Sequence, residues 1–302
     1  FEGSRFYARA LAELITARGR DALTHAVEIA ANNNMEVVYG DTDSIMVNSC
    51  TTVLPEARKM AETLKREINK HYKCMEIDLD GLMRSLLLLK KKKYAALLVE
   101  EKNGEMIVTR ETKGLDLVRR DWCTLSREAG STVLDFILSG RPKDELVSAI
   151  LGYLTEIKEK IDKNELPLDS FVITKQLTKA PKDYPDAKNQ PHVTVAKKMI
   201  EQGENVPSGA VIEYVICADE SKSGVAERAH HPKTVLKAEG FLQVDYAWYM
   251  AQQIHPPIWR LCEPIDGITS EQIADCLGLD AAKFRSHSVD NPASSYRDQF
   301  AA

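Results

Sequence analysis

Residues 36–48 of the chain read EVVYGDTDSIMVN. Residues that favour strands fill both ends of this stretch, and the central GDTD at 40–43 consists of typical turn residues. Two short strands joined by a tight turn are therefore predicted, at Glu36–Tyr39 and Ser44–Asn48. The turn also carries two carboxylates, so the same hairpin is both a fold signal and a candidate site.

Helices are predicted on both sides of the hairpin. Leu11–Ala30 has apolar residues at the 3.6-residue spacing of an amphipathic helix, and Pro55 suits the first turn of a second helix. Further strands are predicted at Met75–Leu79, Met83–Leu89, Tyr94–Glu100 and Met106–Arg110. The order helix, hairpin, helix, strands is typical of the α+β class, in which helices flank an antiparallel sheet.

The second part of the chain is predicted to be mainly helical. We place the domain boundary near residue 118, which divides the chain into residues 1–118 and 119–302. Helical periodicity occurs at Trp122–Leu138, Asp144–Ile161, His192–Gln202 and Tyr246–Cys262, and Val211–Cys217 has the pattern of a strand.

Composition and charge narrow the class of protein. Of the 302 residues, 44% are hydrophobic and 28% charged, as in an ordinary folded domain and unlike a disordered chain. The leucine run Leu86–Leu89 and the other apolar runs are far too short to span a membrane, so no membrane partner is expected. The net charge is −5, yet residues 82–122 hold 10 basic and 6 acidic side chains. A locally basic surface in an acidic chain favours an anionic partner at that surface.

Asp41 and Asp43 form the first candidate site. Carboxylates two positions apart in an extended or tight-hairpin backbone are expected to point to the same side, while Thr42 points away. An exposed pair of this kind suits a hard divalent cation such as Mg²⁺, which accepts one or two carboxylates plus phosphate oxygens. An ordinary aspartate turn and the D-x-D of nucleotide-sugar glycosyltransferases have the same pattern, so the spacing leaves three interpretations open.

The four consecutive lysines Lys90–Lys93 and the adjacent Tyr94 form the second candidate site. In a strand, alternate lysines would face opposite sides, so two of them could follow one groove of a nucleic-acid duplex. A solvated surface strand is the alternative interpretation. The run directly follows the four leucines Leu86–Leu89, which should be buried, and this favours a functional surface.

The third candidate site is KGLDLVRRD at residues 113–121. Arg119 and Arg120 could contact phosphates, and Gly114 would let the backbone approach a phosphate closely. The alternative is a structural cluster of ion pairs between the two arginines and the neighbouring aspartates.

Taken together, YGDTDS at 39–44, KKKY at 91–94 and KGLDLVRRD at 113–121 resemble the palm and the start of the thumb of family B DNA polymerases. The resemblance covers essentially the whole chain. Within the family, segments such as LTKAPKDYPD at 177–186 and QQIHPPIWRLCEPIDG at 252–267 are most similar to the alpha type.

The resemblance implies a fold and an activity. Residues 1–118 would form an α+β palm with an antiparallel sheet and flanking helices, and residues 119–302 a mainly helical thumb. The whole protein would transfer a nucleotidyl group from a dNTP to the 3′-hydroxyl of a primer by a mechanism that uses two Mg²⁺ ions. Asp43 would be the main carboxylate ligand of these ions and Asp41 a weaker one. The remaining residues assigned to cofactor binding are Tyr39, Gly40, Thr42 and Ser44.

The basic motifs would contact primer–template DNA. The resemblance assigns Lys92 and Tyr94 to the minor groove and backbone of the primer end, and Lys91 to a phosphate. The other residues assigned to DNA binding are Lys93, Lys113, Gly114, Arg119 and Arg120. Primase and an accessory subunit would bind through regions outside this chain, and a eukaryotic alpha-type enzyme would act in the nucleus.

The resemblance also implies an incomplete site. The chain begins at Phe1 rather than Met, so we expect an excerpt of a longer protein, with a second metal-binding aspartate upstream. The excerpt alone is expected to be inactive. The alternatives are a delta- or zeta-type member of the family and a non-catalytic nucleic-acid-binding module derived from one.

Overall fold

A computed structural model describes residues 3–102, 104–115, 121–219 and 223–285 of the chain. The contacts divide the chain into two compact units between Lys113 and Gly114. The boundary predicted near residue 118 lies outside the described residues. Across the described ranges, no helix is both long enough and apolar enough to cross a membrane.

The first unit is built from helices and antiparallel strands. In chain order they are α1 (Arg9–Asn32), β1 (Glu36–Asp41), β2 (Ser44–Asn48), α2 (Leu54–Asn69), β3 (Leu82–Lys90), β4 (Lys93–Lys102) and β5 (Glu105–Lys113). Strands β1 and β2 form one sheet, and β3, β4 and β5 form another in that order. The α+β class predicted from the sequence is confirmed, as are the predicted helices and all but one of the predicted strands.

The core of the first unit lies where α1 and α2 meet the β1–β2 hairpin. Its residues include, on the helices, Ala26, Ile29, Ala30, Leu64 and Ile68 and, on the hairpin, Val37, Ile45 and Val47. Ile68 is almost fully buried, which stabilises the folded unit by roughly 1.5–3 kcal/mol. This packing holds the base of the hairpin and leaves the tip accessible to solvent.

The strand predicted at Met75–Leu79 is absent, so this prediction was wrong. The Ile77 N–H donates to Oδ1 of Asn69 at 2.8 Å, and Nδ2 of Asn69 donates to the Ile77 carbonyl at 3.1 Å. The Asn69 amide thus satisfies both backbone groups that a neighbouring strand would have satisfied. An apolar alternation in the sequence does not reveal such a side-chain partner.

The second unit is mainly helical, as predicted. In chain order its elements are α3 (Thr124–Leu138), α4 (Lys143–Asp162), β6 (Ile173–Gln176), α5 (Pro191–Glu201), β7 (Val211–Ile216), β8 (Ala229–His230), α6 (Pro232–Lys237), α7 (Tyr246–Tyr249), α8 (His255–Cys262) and α9 (Ser270–Cys276). Strands β6, β7 and β8 form a small antiparallel sheet in that order. Fully buried side chains from several helices, such as Val133, Ile150 and Ile258, form the core of this unit.

The helix predicted at Tyr246–Cys262 has an irregular middle. It begins as α7, widens into a π-helical turn at Met250–Ile254 and continues as α8. Pro256 and Pro257 have no N–H, so they cannot bond the carbonyls of the preceding turn. The carbonyl of Gln253, four residues before Pro257, therefore needs a partner from outside its own helix.

Helix α3 supplies that partner. The Ser126 hydroxyl donates to the Gln253 carbonyl at 2.5 Å. The Gln253 side chain in turn accepts the Cys123 N–H at 3.0 Å. Ser126 and Gln253 are both buried, so the irregular turn and the start of α3 satisfy each other's polar groups where water cannot.

Ser126→Ala is expected to lower the free energy of unfolding of the chain by about 1–3 kcal/mol, because it leaves the buried Gln253 carbonyl without a donor. Ser139→Ala is a matched control at the other end of α3, where an exposed hydroxyl donates to the Phe136 carbonyl. It should change stability by less than about 0.5 kcal/mol. Urea denaturation measures both, and equal midpoints for the two variants would contradict this account.

Candidate active site

The two aspartates lie at the tip of the β1–β2 hairpin. Asp41 pairs with Ser44 in the antiparallel register, so Thr42 and Asp43 form a two-residue turn. The sequence predicted a turn that included Gly40 and Asp41, but the structure places both residues in β1. Asp41 is partly buried and Asp43 is exposed, so both carboxylates can be reached from solvent.

Thr42 holds this turn in an uncommon backbone conformation. Its φ is 56°, in the left-handed region that β-branched residues rarely occupy. The Asp43 N–H donates across Thr42 to the Asp41 carbonyl at 2.6 Å, and the Thr42 hydroxyl donates to Asp41 Oδ1 at 3.1 Å. Backbone strain of this kind costs on the order of 1–3 kcal/mol and is concentrated at functional sites.

A β-bulge in β1 sets the direction of the Tyr39 side chain. The register shifts between Val37 and Tyr39, which leaves Val38 as an extra residue on this strand. Bulges re-aim side chains and are frequent next to active sites. Beyond the bulge the pairing is regular, so Tyr39 and Asp41 lie on the same face of β1.

A second hairpin tip carries the lysines. Lys90 of β3 pairs with Lys93 of β4, so Lys91 and Lys92 form the turn between them, and both are exposed. The interpretation of residues 91–94 as a strand was therefore wrong for Lys91 and Lys92, whereas Lys90 and Lys93 are strand residues. Lysine is not a typical turn residue. Lys92 nevertheless adopts a φ of 64°, because the pairing of β3 with β4 requires the chain to reverse there.

The two tips meet at Lys92. Its N–H donates to the Tyr39 hydroxyl at 2.8 Å, and its Nζ lies 3.6 Å from Asp41 Oδ1. The Lys92 side chain is 72% exposed and that of Asp41 33% exposed, so the ion pair contributes at most about 1 kcal/mol to stability. An ammonium group held this weakly can exchange its carboxylate partner for another anion, such as a phosphate.

Tyr94 and Lys113 pair across β4 and β5, next to the lysine tip. Burial and, after it, the Glu111 carboxylate raise the pKa of Tyr94, so its hydroxyl stays protonated at neutral pH. Lys113 Nζ lies 2.9 Å from Glu111 Oε1, and that hydrogen bond raises the pKa of Lys113. Both groups can therefore donate to an anion at neutral pH. Gly114 follows with a φ of 63°, in the region that favours glycine.

The structure brings Tyr39, Asp41 and Lys92 into contact, with Lys91 next to them in the turn. Arg119 and Arg120 lie outside the described residues. The bond between Tyr39 and Lys92 was not predicted from the sequence. The sequence does contain a signal for this bond. Tyr39 lies two residues before Asp41 and so on the same face of a strand, and a buried tyrosine hydroxyl usually has a hydrogen-bond partner.

The donor chemistry of the β1–β2 tip fits a divalent cation. Asp41 and Asp43 offer hard oxygen donors at one turn, which suits Mg²⁺ when phosphate oxygens and water complete its shell. In the part of the chain that the structure describes, no group of three or more His, Cys, Asp or Glu side chains is placed to hold a metal. The hairpin could therefore supply one side of a metal site but not a closed cage.

Comparison with known proteins identifies the family of the chain. The sequence profile of DNA polymerase family B matches residues 1–265. The chain belongs to DNA polymerase family B. The resemblance predicted from the three motifs is thus confirmed, and the glycosyltransferase interpretation is excluded.

This family B chain is similar to alpha-type relatives, as its segments predicted. The DNA polymerase alpha catalytic subunit of Xenopus laevis is 49% identical over 289 residues, which are 95% of this chain and 20% of the relative. The corresponding subunits of Mus musculus and Arabidopsis thaliana are 48% and 45% identical, over 95% and 97% of this chain and 20% of each relative. The chain therefore spans about a fifth of the length of these relatives.

A solved structure supports the same fold. The family B DNA polymerase from the hyperthermophilic archaeon Pyrobaculum calidifontis matches 88% of this chain and 31% of its own chain, with a TM-score of 0.68 and 28% sequence identity. The mixed architecture of helices and small antiparallel sheets is therefore an architecture of family B.

Proposed function

We propose that the protein to which this chain belongs carries out template-directed DNA synthesis, transferring a nucleotidyl group from a dNTP to the 3′-hydroxyl of a primer. The observation that carries the proposal is the junction of Tyr39, Asp41 and Lys92, where a carboxylate tip and a lysine tip form one cluster in a family B chain. Extension of a labelled primer by the complete protein tests it, and no extension on any primer–template would contradict it.

The carboxylate tip is proposed to hold the divalent cations, with Asp43 as the main ligand. Asp41 already contacts Thr42 and Lys92, whereas among the described residues the exposed Asp43 carboxylate has no side-chain hydrogen bond or ion pair. When bound, two Mg²⁺ ions supply Lewis acidity to the primer hydroxyl and to the leaving pyrophosphate. The neighbouring residues proposed to line this side of the site are Tyr39, Gly40, Thr42 and Ser44.

The lysine tip is proposed to hold the primer–template duplex. Lys91 and Lys92 are exposed, the Lys92 ammonium lies 3.6 Å from Asp41 Oδ1, and the protonated Tyr94 hydroxyl offers a further donor at the start of β4. The full set of residues proposed to contact DNA is Lys91, Lys92, Lys93, Tyr94, Lys113, Gly114, Arg119 and Arg120. None of these contacts requires a particular base, because the template supplies the sequence information by pairing.

The alpha-type relatives support two further proposals about the whole protein. It would act in the nucleus, since the similar subunits come from eukaryotes. It would also work with a primase and an accessory subunit, which would bind through regions outside this chain.

Binding of primer–template duplex by the chain is expected to weaken as salt rises and to be equal for different sequences, because bound lysines release condensed counterions. Lys91→Ala should reduce the slope of log K against log salt concentration by about 1. Fluorescence anisotropy over a range of salt concentrations measures the slope. Lys59→Ala removes the same charge from an exposed position on α2 and should leave the slope unchanged. Salt-independent affinity, or a clear preference for one sequence, would contradict the proposed DNA surface.

A further inference from the structure

We propose that Tyr39 is a positioning residue for DNA synthesis: its hydroxyl fixes the Lys91–Lys92 turn so that the Lys92 ammonium stands beside Asp41. The inference rests on the proposed function. It gives Tyr39 a different task from the cofactor contact that the family resemblance implies. Tyr39 acts through Lys92 and does not touch the reacting atoms.

The two tips need a link because they belong to different sheets. The β1–β2 pair and the β3–β4–β5 sheet are separate, so among the described residues no ladder of backbone hydrogen bonds sets the distance between their tips. A lysine ammonium sits on a flexible four-carbon chain. The position of the ammonium therefore depends on how firmly the backbone of Lys92 is held. The 2.8 Å bond from the Lys92 N–H to the Tyr39 hydroxyl holds that backbone.

The Tyr39 side of this bond is rigid. Tyr39 is 8% exposed, and it lies in a paired strand directly after the β-bulge. Close packing around a buried ring leaves little room for movement. The hydroxyl is therefore a fixed point to which the Lys91–Lys92 turn bonds.

The Lys92 side is the one that needs support. Lys92 has a φ of 64°, which is uncommon for a residue with a long side chain. It lies in a turn, where its N–H has no partner in the strand ladder. The Tyr39 hydroxyl accepts that N–H and so stabilises a backbone conformation that lysine seldom adopts.

Both contacts to Lys92 come from one face of β1. Tyr39 binds the Lys92 N–H, and Asp41, two residues further along, lies 3.6 Å from the Lys92 Nζ. A shift of the turn relative to β1 therefore changes the separation of the ammonium and the carboxylate directly. Loss of the Tyr39 hydroxyl should loosen the ammonium without removing it.

Tyr39→Phe keeps the ring and removes only the hydroxyl. In the complete protein we expect about a 3- to 10-fold loss in both primer–template affinity and single-turnover rate, which is the size of one lost neutral hydrogen bond. Lys92→Ala keeps the N–H that Tyr39 binds and removes the ammonium. If Tyr39 acts mainly by placing that ammonium, Tyr39→Phe has a clearly smaller effect in the Lys92→Ala background than in the wild type. Additive losses in the double variant would overturn the proposal.

Tyr249→Phe is the matched control. The Tyr249 hydroxyl donates to the Phe171 carbonyl at 2.6 Å and accepts the Ile216 N–H at 3.1 Å, all within the second unit. Its loss should lower thermal stability without any coupling to Lys92. An equal loss of rate in Tyr249→Phe, at matched stability, would mean that the Tyr39 hydroxyl serves stability alone, which also overturns the proposal.

Hydrogen–deuterium exchange separates this inference from the proposed function. The amide of Lys92 should exchange faster in Tyr39→Phe than in the wild type, whether or not the protein synthesises DNA. The proposed function fails if the wild type extends no primer. The positioning of Lys92 still stands in that case if Tyr39→Phe speeds exchange at this amide and weakens duplex binding non-additively with Lys92→Ala. Unchanged exchange at Lys92 rejects the positioning role itself.

Discussion

Asp43→Asn in the complete protein is expected to lower the single-turnover rate of primer extension by a factor on the order of 10³, with primer–template affinity within about twofold of the wild type. Asparagine keeps the size and most of the hydrogen bonding of aspartate but removes the charge that would hold the cations. Because Asp43 is exposed at the tip and outside the hydrophobic core, the substitution should leave the fold intact. Rapid-quench measurements at saturating DNA and dNTP give the rate.

The control for this prediction removes the same charge elsewhere in the first unit. Asp21 lies on α1 with its side chain 67% exposed, and Asp21→Asn should leave the rate unchanged. Asp43 would be a structural turn residue if Asp43→Asn weakened duplex binding while the bound complex turned over at the wild-type rate. A wild-type protein that binds duplex but extends no primer would favour the non-catalytic nucleic-acid-binding module.

The chain by itself is expected to extend no primer, even with Mg²⁺ and all four nucleotides. Among the described residues, the candidate metal ligands are the carboxylates of a single hairpin, and no larger group of ligands is present to complete a two-metal site. The chain also spans about a fifth of the relatives it resembles. A denaturing gel assay measures extension, with the complete protein as the positive control.

Duplex binding by the chain is the second control for this experiment. If the chain binds duplex with the salt dependence described above and still adds no nucleotide, the missing activity is due to an incomplete site and not to misfolding. Extension at a rate near that of the complete protein would show that this chain holds every residue essential for catalysis and would contradict the prediction.

The β1–β2 hairpin could be predicted from the sequence because two local signals agree. Residues that favour strands surround a run of turn residues, and both signals predict the same topology. The exact turn could not be read, because Gly40 is the natural choice for a positive φ, whereas the structure uses Thr42. Pairing of Asp41 with Ser44 determines the turn, and that is a property of two strands together.

The lysine tip and the absent strand at Met75–Leu79 show what local patterns omit. The reversal at Lys91 and Lys92 follows from the pairing of β3 with β4, with support from the Tyr39 hydroxyl, and lysine itself gives no sign of it. The backbone of Ile77 is bonded by a side-chain amide from the end of α2. Tyr39 lies 53 positions from Lys92 and Asn69 eight positions from Ile77, so neither partner belongs to the local pattern from which the element was predicted.

The candidate site could be predicted from the sequence mainly because several motifs occur together. The spacing of Asp41 and Asp43 fits three kinds of turn, and only the lysine and KGLDLVRRD motifs that follow in order favour a polymerase. The contact of Lys92 with Asp41 needed the structure, because a pattern of residues in one strand does not show which other hairpin lies beside it.

The bonds between Gln253 and the start of α3 also affect the order of folding. The bond from the Cys123 N–H to the Gln253 side chain joins residues 130 positions apart. Closing a loop of that length costs about 4 kcal/mol in chain entropy. This cost arises before the contacts between the two ends of the loop can contribute stability. During synthesis on the ribosome, residues 113–121 therefore emerge long before Gln253 is available to fix the helix that follows them. The bonds that hold Cys123 and Ser126 at the start of α3 thus form late, after most of the second unit has left the ribosome.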